Sequence, residues 1–362
     1  MVTRRDILKG TLCFAGMATL YPYCSFSAPI MRKAMFWETK GDAVRCFLCP
    51  RNCILKQGAT GSCRIRQNVN GALVTHGYGN PCAVHVDPIE KKPLYHVMPG
   101  AKALSIAVAG CNFHCKNCQN YSISQASPQE TDNTDLMPEA VIESALKNKC
   151  ETIAYTYSEP TVWFEYMYDT AKLARNAGLK NLMITCGYIN PEPLKELSKY
   201  MDAANIDLKS FSDDVYIKLN AGRLQPVLDS IKLSRDLGIW VEITNLIVPQ
   251  WTDSPDMIRK LCAWIKSTVG TDVPLHFSRF YPMYKLAHLY PTPDAILHEA
   301  KKIAVEAGLN YVYVGNAAGV DSNTYCPKCK KAVVKRNGYL ITANDVKNGK
   351  CGFCGNVIPG IW

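Results

Sequence analysis

The chain has 362 residues, 48% hydrophobic and 20% charged. This excludes a disordered chain, a coiled coil and a multi-span membrane protein, and leaves room for about two or three domains. Lys and Arg outnumber Asp and Glu by 41 to 31, a bias that suits phosphate, nucleic acid or acidic partners but is scattered along the chain. The only short basic cluster is Lys328, Lys330, Lys331, Lys335 and Arg336, so charge alone names no partner. Composition leaves one feature unexplained, the 17 cysteines.

The chain opens Thr3-Arg4-Arg5-Asp6-Ile7-Leu8-Lys9-Gly10, runs through small and apolar residues to Leu20, and reaches a small-x-small site at Ser25-Phe26-Ser27. Residues 1–28 thus have the form of a twin-arginine export signal. The other reading is a chance Arg-Arg ahead of a buried helix. The apolar run is too short to span a bilayer as a mature helix, and no other transmembrane segment is expected. A functional signal implies a periplasmic or membrane-associated protein; without it the protein is cytoplasmic. Twin-arginine transport resembles a route for proteins that fold and load cofactors first, so thiolates meet an oxidising compartment already metal-bound.

Residues 29–100 read as an N-terminal Cys-rich module. Cys46, Cys49, Cys53 and Cys63, with Gly58 and Gly61 between the last two, form a compact metal-binding knuckle that fits either zinc or an auxiliary [4Fe-4S] cluster. Over 101–316 the chain alternates β-rich runs (104–109, 152–157, 181–186, 204–208, 240–248, 275–280, 311–314) with amphipathic stretches (138–149, 161–177, 224–237, 255–268, 293–307). Gly178, Gly238 and Gly308 follow three of those stretches as helix stops. Near-continuous apolar strands between helices predict an α/β fold with a parallel sheet, a full or partial (β/α) barrel. Chemistry in such barrels sits at the C-terminal ends of the strands. Residues 317–362 carry Cys326-x2-Cys329 and Cys351-x2-Cys354 across a 21-residue gap. That is close to a zinc ribbon, with structural zinc favoured over iron–sulfur and over disulfides. A ribbon can bind nucleic acid or merely cap a fold, and nothing here is strong evidence for nucleic acid.

The first barrel strand is followed by Gly110-Cys111-Asn112-Phe113-His114-Cys115-Lys116-Asn117-Cys118. Three cysteines spaced C-x3-C-x2-C on one loop can converge on a single centre, and a tetrahedral zinc would still need a fourth ligand. This spacing resembles that of the radical S-adenosylmethionine (SAM) superfamily. The resemblance implies a [4Fe-4S] cluster on Cys111, Cys115 and Cys118 with one iron open to the amino and carboxylate groups of SAM. Reductive cleavage of SAM would then give a 5′-deoxyadenosyl radical that abstracts hydrogen from a substrate. One departure is Asn117, where the superfamily has an aromatic residue near the adenine. Glu159-Pro160 resembles the end of the superfamily's Gly-Gly-Glu-Pro element, which holds the SAM amino group, although Tyr157-Ser158 replace the glycines. Glu159 could equally open the following helix against its dipole, and the two roles are compatible. Strand ends add Thr185 to the cofactor pocket, and Asp207-Leu208-Lys209 puts Asp207 and Lys209 on one face. In glycyl-radical activating enzymes a matching Asp-x-Lys lies beside SAM. Lys209 and His276 are the candidate catalytic residues, with His276 readable also as a satisfied core histidine.

Asp87-Pro88-Ile89-Glu90-Lys91-Lys92-Pro93-Leu94-Tyr95-His96, the loop above, Leu275-His276-Phe277-Ser278-Arg279-Phe280 and Val312-Tyr313-Val314-Gly315-Asn316 together resemble the radical SAM enzyme of the AmmeMemoRadiSam system, a family similar to pyruvate formate-lyase activating enzymes. The resemblance covers residues 40–362. It implies an oxidoreductase or activase fed by a low-potential electron donor, with Memo-like and Amme-like partner proteins. Two rivals remain at this stage. One is a glycyl-radical-enzyme activase acting on a partner protein; the other is a non-enzymatic multi-zinc scaffold or nucleic-acid-binding protein.

Overall fold

A computed structural model describes residues 31–362 except Ala318; the twin-arginine-like segment lies outside the described residues. Eight strands form one sheet in chain order. They are β1 (Ala83–Pro88), β2 (Lys102–Ala107), β3 (Thr152–Tyr155), β4 (Lys180–Thr185), β5 (Ala203–Asp207), β6 (Trp240–Ile247), β7 (Leu275–Arg279) and β8 (Val312–Gly315). From β2 to β8 every neighbouring pair is parallel, and β1 alone runs antiparallel, on the outer edge of β2. Among the described residues β1 and β8 do not pair, so the barrel is partial. The seven expected strands are present within a few residues. The eighth, β1, falls in the stretch that sequence assigned to the N-terminal module.

Helices α1 (Pro138–Lys147), α2 (Phe164–Asn176), α3 (Pro191–Ser198), α4 (Leu224–Asp236), α5 (Pro255–Trp264) and α6 (Asp294–Glu306) lie between the parallel strands. Proline opens α1, α3 and α5 at the first turn, where its missing N–H costs nothing. Gly178 and Gly238 end α2 and α4 with φ of +78° and +81°, a backbone that residues with a Cβ rarely take. Strand β3, Thr-Ile-Ala-Tyr, is buried at every position because the sheet is covered on both faces.

The concave face is filled at one end by the chain just after β1. Ile89, Leu94 and Val97 pack on the small inward residues Ala103, Ala154 and Ala203 and on Leu182. Above this plug Glu242 accepts the backbone N–H groups of Tyr95 (3.0 Å) and His96 (2.8 Å), and Asn205 Nδ2 donates to the Pro93 carbonyl at 2.8 Å. The Asp87–His96 signature is therefore the stopper of the barrel. The polar residues of β5 and β6 satisfy its backbone, as buried amides require.

Outside the sheet, residues 32–75 form two three-stranded antiparallel sheets. The C-terminal part carries a hairpin of Ala332–Asn337 and Leu340–Asn344 over a small cysteine-lined core. Its last residues return to the plug, where Ile361 donates to and accepts from the backbone at His96 and Met98. Among the described residues no helix is long and apolar enough to cross a membrane, and every described cysteine is a free thiol.

Candidate active site at the C-terminal strand ends

A cavity of about 1000 Å³ opens where the parallel strands end, lined by Cys111, Cys115, Cys118, Glu159, Thr185, Asp207, Lys209 and His276. The fold thus gathers the expected thiol triad and all five other expected cofactor and catalytic residues around one space. The remaining eight expected ligands form two separate groups. Cys46, Cys49, Cys53 and Cys63 enclose a smaller cavity, and Cys326, Cys329, Cys351 and Cys354 converge with their sulfurs within 4.8 Å of one another. That C-terminal cluster can hold a metal ion.

Each triad sulfur meets one hydrogen-bonding group. The Phe113 N–H donates to Cys111 (3.3 Å), Asn220 Nδ2 donates to Cys115 (3.2 Å), and the Ser124 hydroxyl lies 3.0 Å from Cys118. Burial pushes the Cys111 and Cys115 thiols up, so metal uptake there releases protons. Among the described residues only the C-terminal cysteines have all their sulfurs within 4.8 Å of one another, so the triad sulfurs are not gathered that closely. Beside it Asn117 lines the cavity, and its Oδ1 is a buried acceptor with no donor. Three thiols, each with a polar neighbour, and an orphaned acceptor fit a cluster with a bound organic ligand.

Glu159 is the hub of the opposite wall. It is 2% exposed, with Oε1 accepting from the Thr161 N–H (3.0 Å) and the Thr185 hydroxyl (2.6 Å), and Oε2 accepting from the Cys186 N–H (2.8 Å). It therefore caps the turn Pro160–Trp163 and also faces the cavity, so the two sequence readings hold together. Thr185 acts on Glu159 as well as lining the space. The Tyr157-Ser158 departure keeps a glycine-like backbone: Tyr157 has φ +66°, a conformation that costs a residue with a Cβ about 1–2 kcal/mol. A hydrogen bond from its hydroxyl to Asp87, and Lys92 Nζ at 4.3 Å from its ring centre, hold it there.

Asp207 and Lys209 pair at 2.8 Å. Burial works against the Lys209 charge, but Asp207, followed by Cys115 and Cys186, outweighs it and raises the lysine above its ordinary value. A fixed cation thus stands beside the thiols. His276 Nε2 lies 2.6 Å from Glu242. Burial alone would raise Glu242, but the His276 hydrogen bond and charge hold it below the usual carboxylate range. His276 is accordingly both a partnered buried histidine and part of the cavity wall.

Several lining residues were not singled out from sequence. Lys92 and Tyr95 come from the plug, and Arg336 and Tyr339 from the C-terminal hairpin. Arg336 donates to the Tyr95 carbonyl (2.7 Å) and stacks on its ring at 4.3 Å. Asp87 anchors the plug by accepting from Lys91 (2.7 Å) and buried Lys92 (2.6 Å). Burial raises the Asp87 carboxyl, but these bonds outweigh it and hold it well below the usual range. A folded value below the unfolded one near ~3.9 stabilises the protein fully above roughly pH 5, and the contribution fades on acidification. Asp87→Asn is expected to cost about 3 kcal/mol at neutral pH by leaving Lys92 buried without its counter-charge. It should also flatten the loss of stability below pH ~5. Urea unfolding across pH checks both.

Residues 105–264 match the radical SAM superfamily. An uncharacterized protein of Methanocaldococcus jannaschii is 47% identical over 334 residues, which span 91% of this chain and 99% of that protein. The pyruvate formate-lyase-activating enzyme of Clostridium pasteurianum is 26% identical over 171 residues, 47% of this chain and 71% of the enzyme. A solved radical SAM methyltransferase from Sphaerobacter thermophilus covers 63% of this chain and 70% of its own at 13% identity, with a TM-score of 0.49. The triad on the loop after the first parallel strand falls within the matched stretch: residues 105–264 form a radical SAM domain, and the chain is a homologue of the pyruvate formate-lyase-activating enzymes.

Proposed function

We propose that this chain is the radical SAM oxidoreductase or activase of an AmmeMemoRadiSam system, using SAM to abstract hydrogen from a substrate in the strand-end cavity. The observation that carries the reading is the meeting of the thiols Cys111, Cys115 and Cys118 with Glu159 and Lys209 around one space. When bound, a [4Fe-4S] cluster supplies the electron that cleaves a carbon–sulfur bond of SAM to a 5′-deoxyadenosyl radical. The three thiolates would hold it and leave one coordination position to the cofactor.

Around that position the chain's own residues supply charge and orientation. Glu159, pinned by three donors, presents negative charge to the SAM ammonium without reorganising. Lys209, kept charged by Asp207, faces the carboxylate. The substrate would meet the wall built from Lys92, His276, Arg336 and Tyr339. There the Glu242-braced imidazole of His276 is placed to hold or move a proton.

In the C-terminal cluster, Cys326–Cys354 and Cys329–Cys351 lie 3.6 and 3.7 Å apart. That is close to the ~3.8 Å edge of a tetrathiolate zinc site with bonds near 2.3 Å, which supports reading this cluster as a zinc site. A low-potential one-electron donor, Memo-like and Amme-like partner proteins, and export by the twin-arginine route complete the reading.

Anaerobic, iron-loaded protein given dithionite and SAM is expected to release 5′-deoxyadenosine and methionine, measured by liquid chromatography. Absence of both products from protein with a full cluster content overturns the proposal. A second reading, activation of a glycyl radical on a partner protein, draws on the kinship with pyruvate formate-lyase-activating enzymes. A glycyl-radical doublet on the partner in electron paramagnetic resonance would select it. A scaffold of zinc sites alone would leave the protein colourless and zinc-only, which metal analysis of the same protein distinguishes.

A further inference from the structure

Cys46, Cys49, Cys53 and Cys63 take no part in the chemistry above, yet they are built into a cage. Cys46 ends a strand paired with Ile54–Lys56, and its N–H donates to the Cys53 carbonyl at 2.9 Å. Cys49 lies in the turn between them, closed by the Asn52 N–H on its carbonyl (3.1 Å), with Asn52 at φ +45°. Cys63 enters from a second turn, where Arg64 takes φ +68°. The four thiols line one enclosed cavity together with Leu48, Leu55, Val162 and Arg66.

Spacing separates the candidate metals. Zinc draws four thiolates to about 3.8 Å of one another, and two C-terminal sulfur pairs already stand at 3.6 and 3.7 Å. Among the described residues, those four are the only group so contracted. The N-terminal sulfurs instead line a small common cavity without all standing within 4.8 Å of one another. A cubane cluster needs its thiolates roughly 6 Å apart, since each sits one iron–sulfur bond outside a metal core nearly 3 Å on an edge.

Charge gives a second, independent pointer. Arg66 is 1% exposed and pairs through Nη2 with Glu165 at 2.7 Å and the Met35 carbonyl at 2.6 Å. Its Nε and Nη1 are buried without acceptors, on a side chain that lines the cage. Unpaired buried donors are costly unless an anion meets them, and four thiolates around zinc or around a cluster make an anion, so Arg66 points to an occupied metal site.

The cage also touches the catalytic loop. Gly110, at φ +97°, passes so close that a Cβ there would lie 2.5 Å from the Cys63 carbonyl. Asn112, between two triad cysteines, lines the cage, and Arg51 donates to its carbonyl.

We propose that Cys46, Cys49, Cys53 and Cys63 bind a second, all-cysteinyl [4Fe-4S] cluster seated against the catalytic loop. The test uses full-length protein reconstituted anaerobically with iron and sulfide in the presence of zinc. Wild type should hold about eight iron and about one zinc per chain. The triple variant Cys111→Ala, Cys115→Ala, Cys118→Ala should keep about four iron, its brown colour and a reduced-cluster resonance that SAM does not alter. Cys49→Ser with Cys63→Ser should lose that signal and keep the SAM-sensitive one. Two zinc and four iron in wild type, or fewer than about three iron in the triple variant, overturns the proposal. An insoluble triple variant leaves the decision to Cys49→Ser with Cys63→Ser, which should lose about four of the wild type's iron while an unchanged iron count overturns the proposal. No readout requires SAM cleavage, so failure here and failure of the catalytic reading remain separate results.

Discussion

Replacing Cys115 with Ala is expected to remove about four iron per chain and to lower 5′-deoxyadenosine formation by at least about a thousandfold. Cys115 is buried beside Lys209 and receives the Asn220 hydrogen bond at 3.2 Å. Its loss leaves two thiols on a loop that has no fourth to lend, since Cys186, the other thiol lining the cavity, is committed to a different wall. There its Sγ lies 3.5 Å from Asn112 Oδ1. Removing one ligand from a three-ligand set removes the site rather than weakening it. Iron and sulfide analysis together with product assay checks this, and a variant retaining the full iron count would strike Cys115 from the ligand set.

The second large effect is expected at Glu159. In Glu159→Gln the side chain keeps its shape but loses its charge, and one of its two positions becomes an NH2 group. Both positions now accept, Oε1 from Thr161 and Thr185 and Oε2 from Cys186, so either orientation sets a donor against a donor. The lost counter-charge should weaken SAM binding about a hundredfold, equivalent to about 2.7 kcal/mol. Cluster content should not change, because no triad sulfur bonds to Glu159. Equilibrium dialysis with SAM measures the effect. If Glu159 serves only as a helix cap, stability falls by about 1 kcal/mol while SAM affinity stays put.

How far these sites were legible follows from the length scale on which each is written. The triad lies within eight residues of one loop, and Asp207 and Lys209 are two apart at a strand end. In both cases local geometry dictates convergence. The seven parallel strands were legible because burial on both faces demands continuous apolar runs, as in Thr152–Tyr155. Strand β1 was not, because it lies at the sheet edge with His85 and Val86 exposed and carries no strong alternation. Helix α3 was missed as well: two prolines in eight residues, Pro-Glu-Pro-Leu-Lys-Glu-Leu-Ser, read locally as a loop. Proline is nonetheless tolerated in the first helical turn.

The sequence by itself determined three groups of cysteines at chelate spacing, a parallel βα array, and a cysteine-rich loop at the end of its first strand. Each rests on neighbours in the chain. Only the tertiary structure decided that the Asp87–His96 signature plugs the barrel, that Glu242 braces His276 across 34 residues, and that Arg336 reaches the same cavity from 241 residues beyond Tyr95. Among the described residues it also brought the sulfurs of Cys326, Cys329, Cys351 and Cys354 within 4.8 Å of one another and left the other two cysteine groups less tightly gathered. The reason is physical. A cysteine motif specifies which sulfurs can meet, but the packing of the surrounding strands sets how far apart they stand.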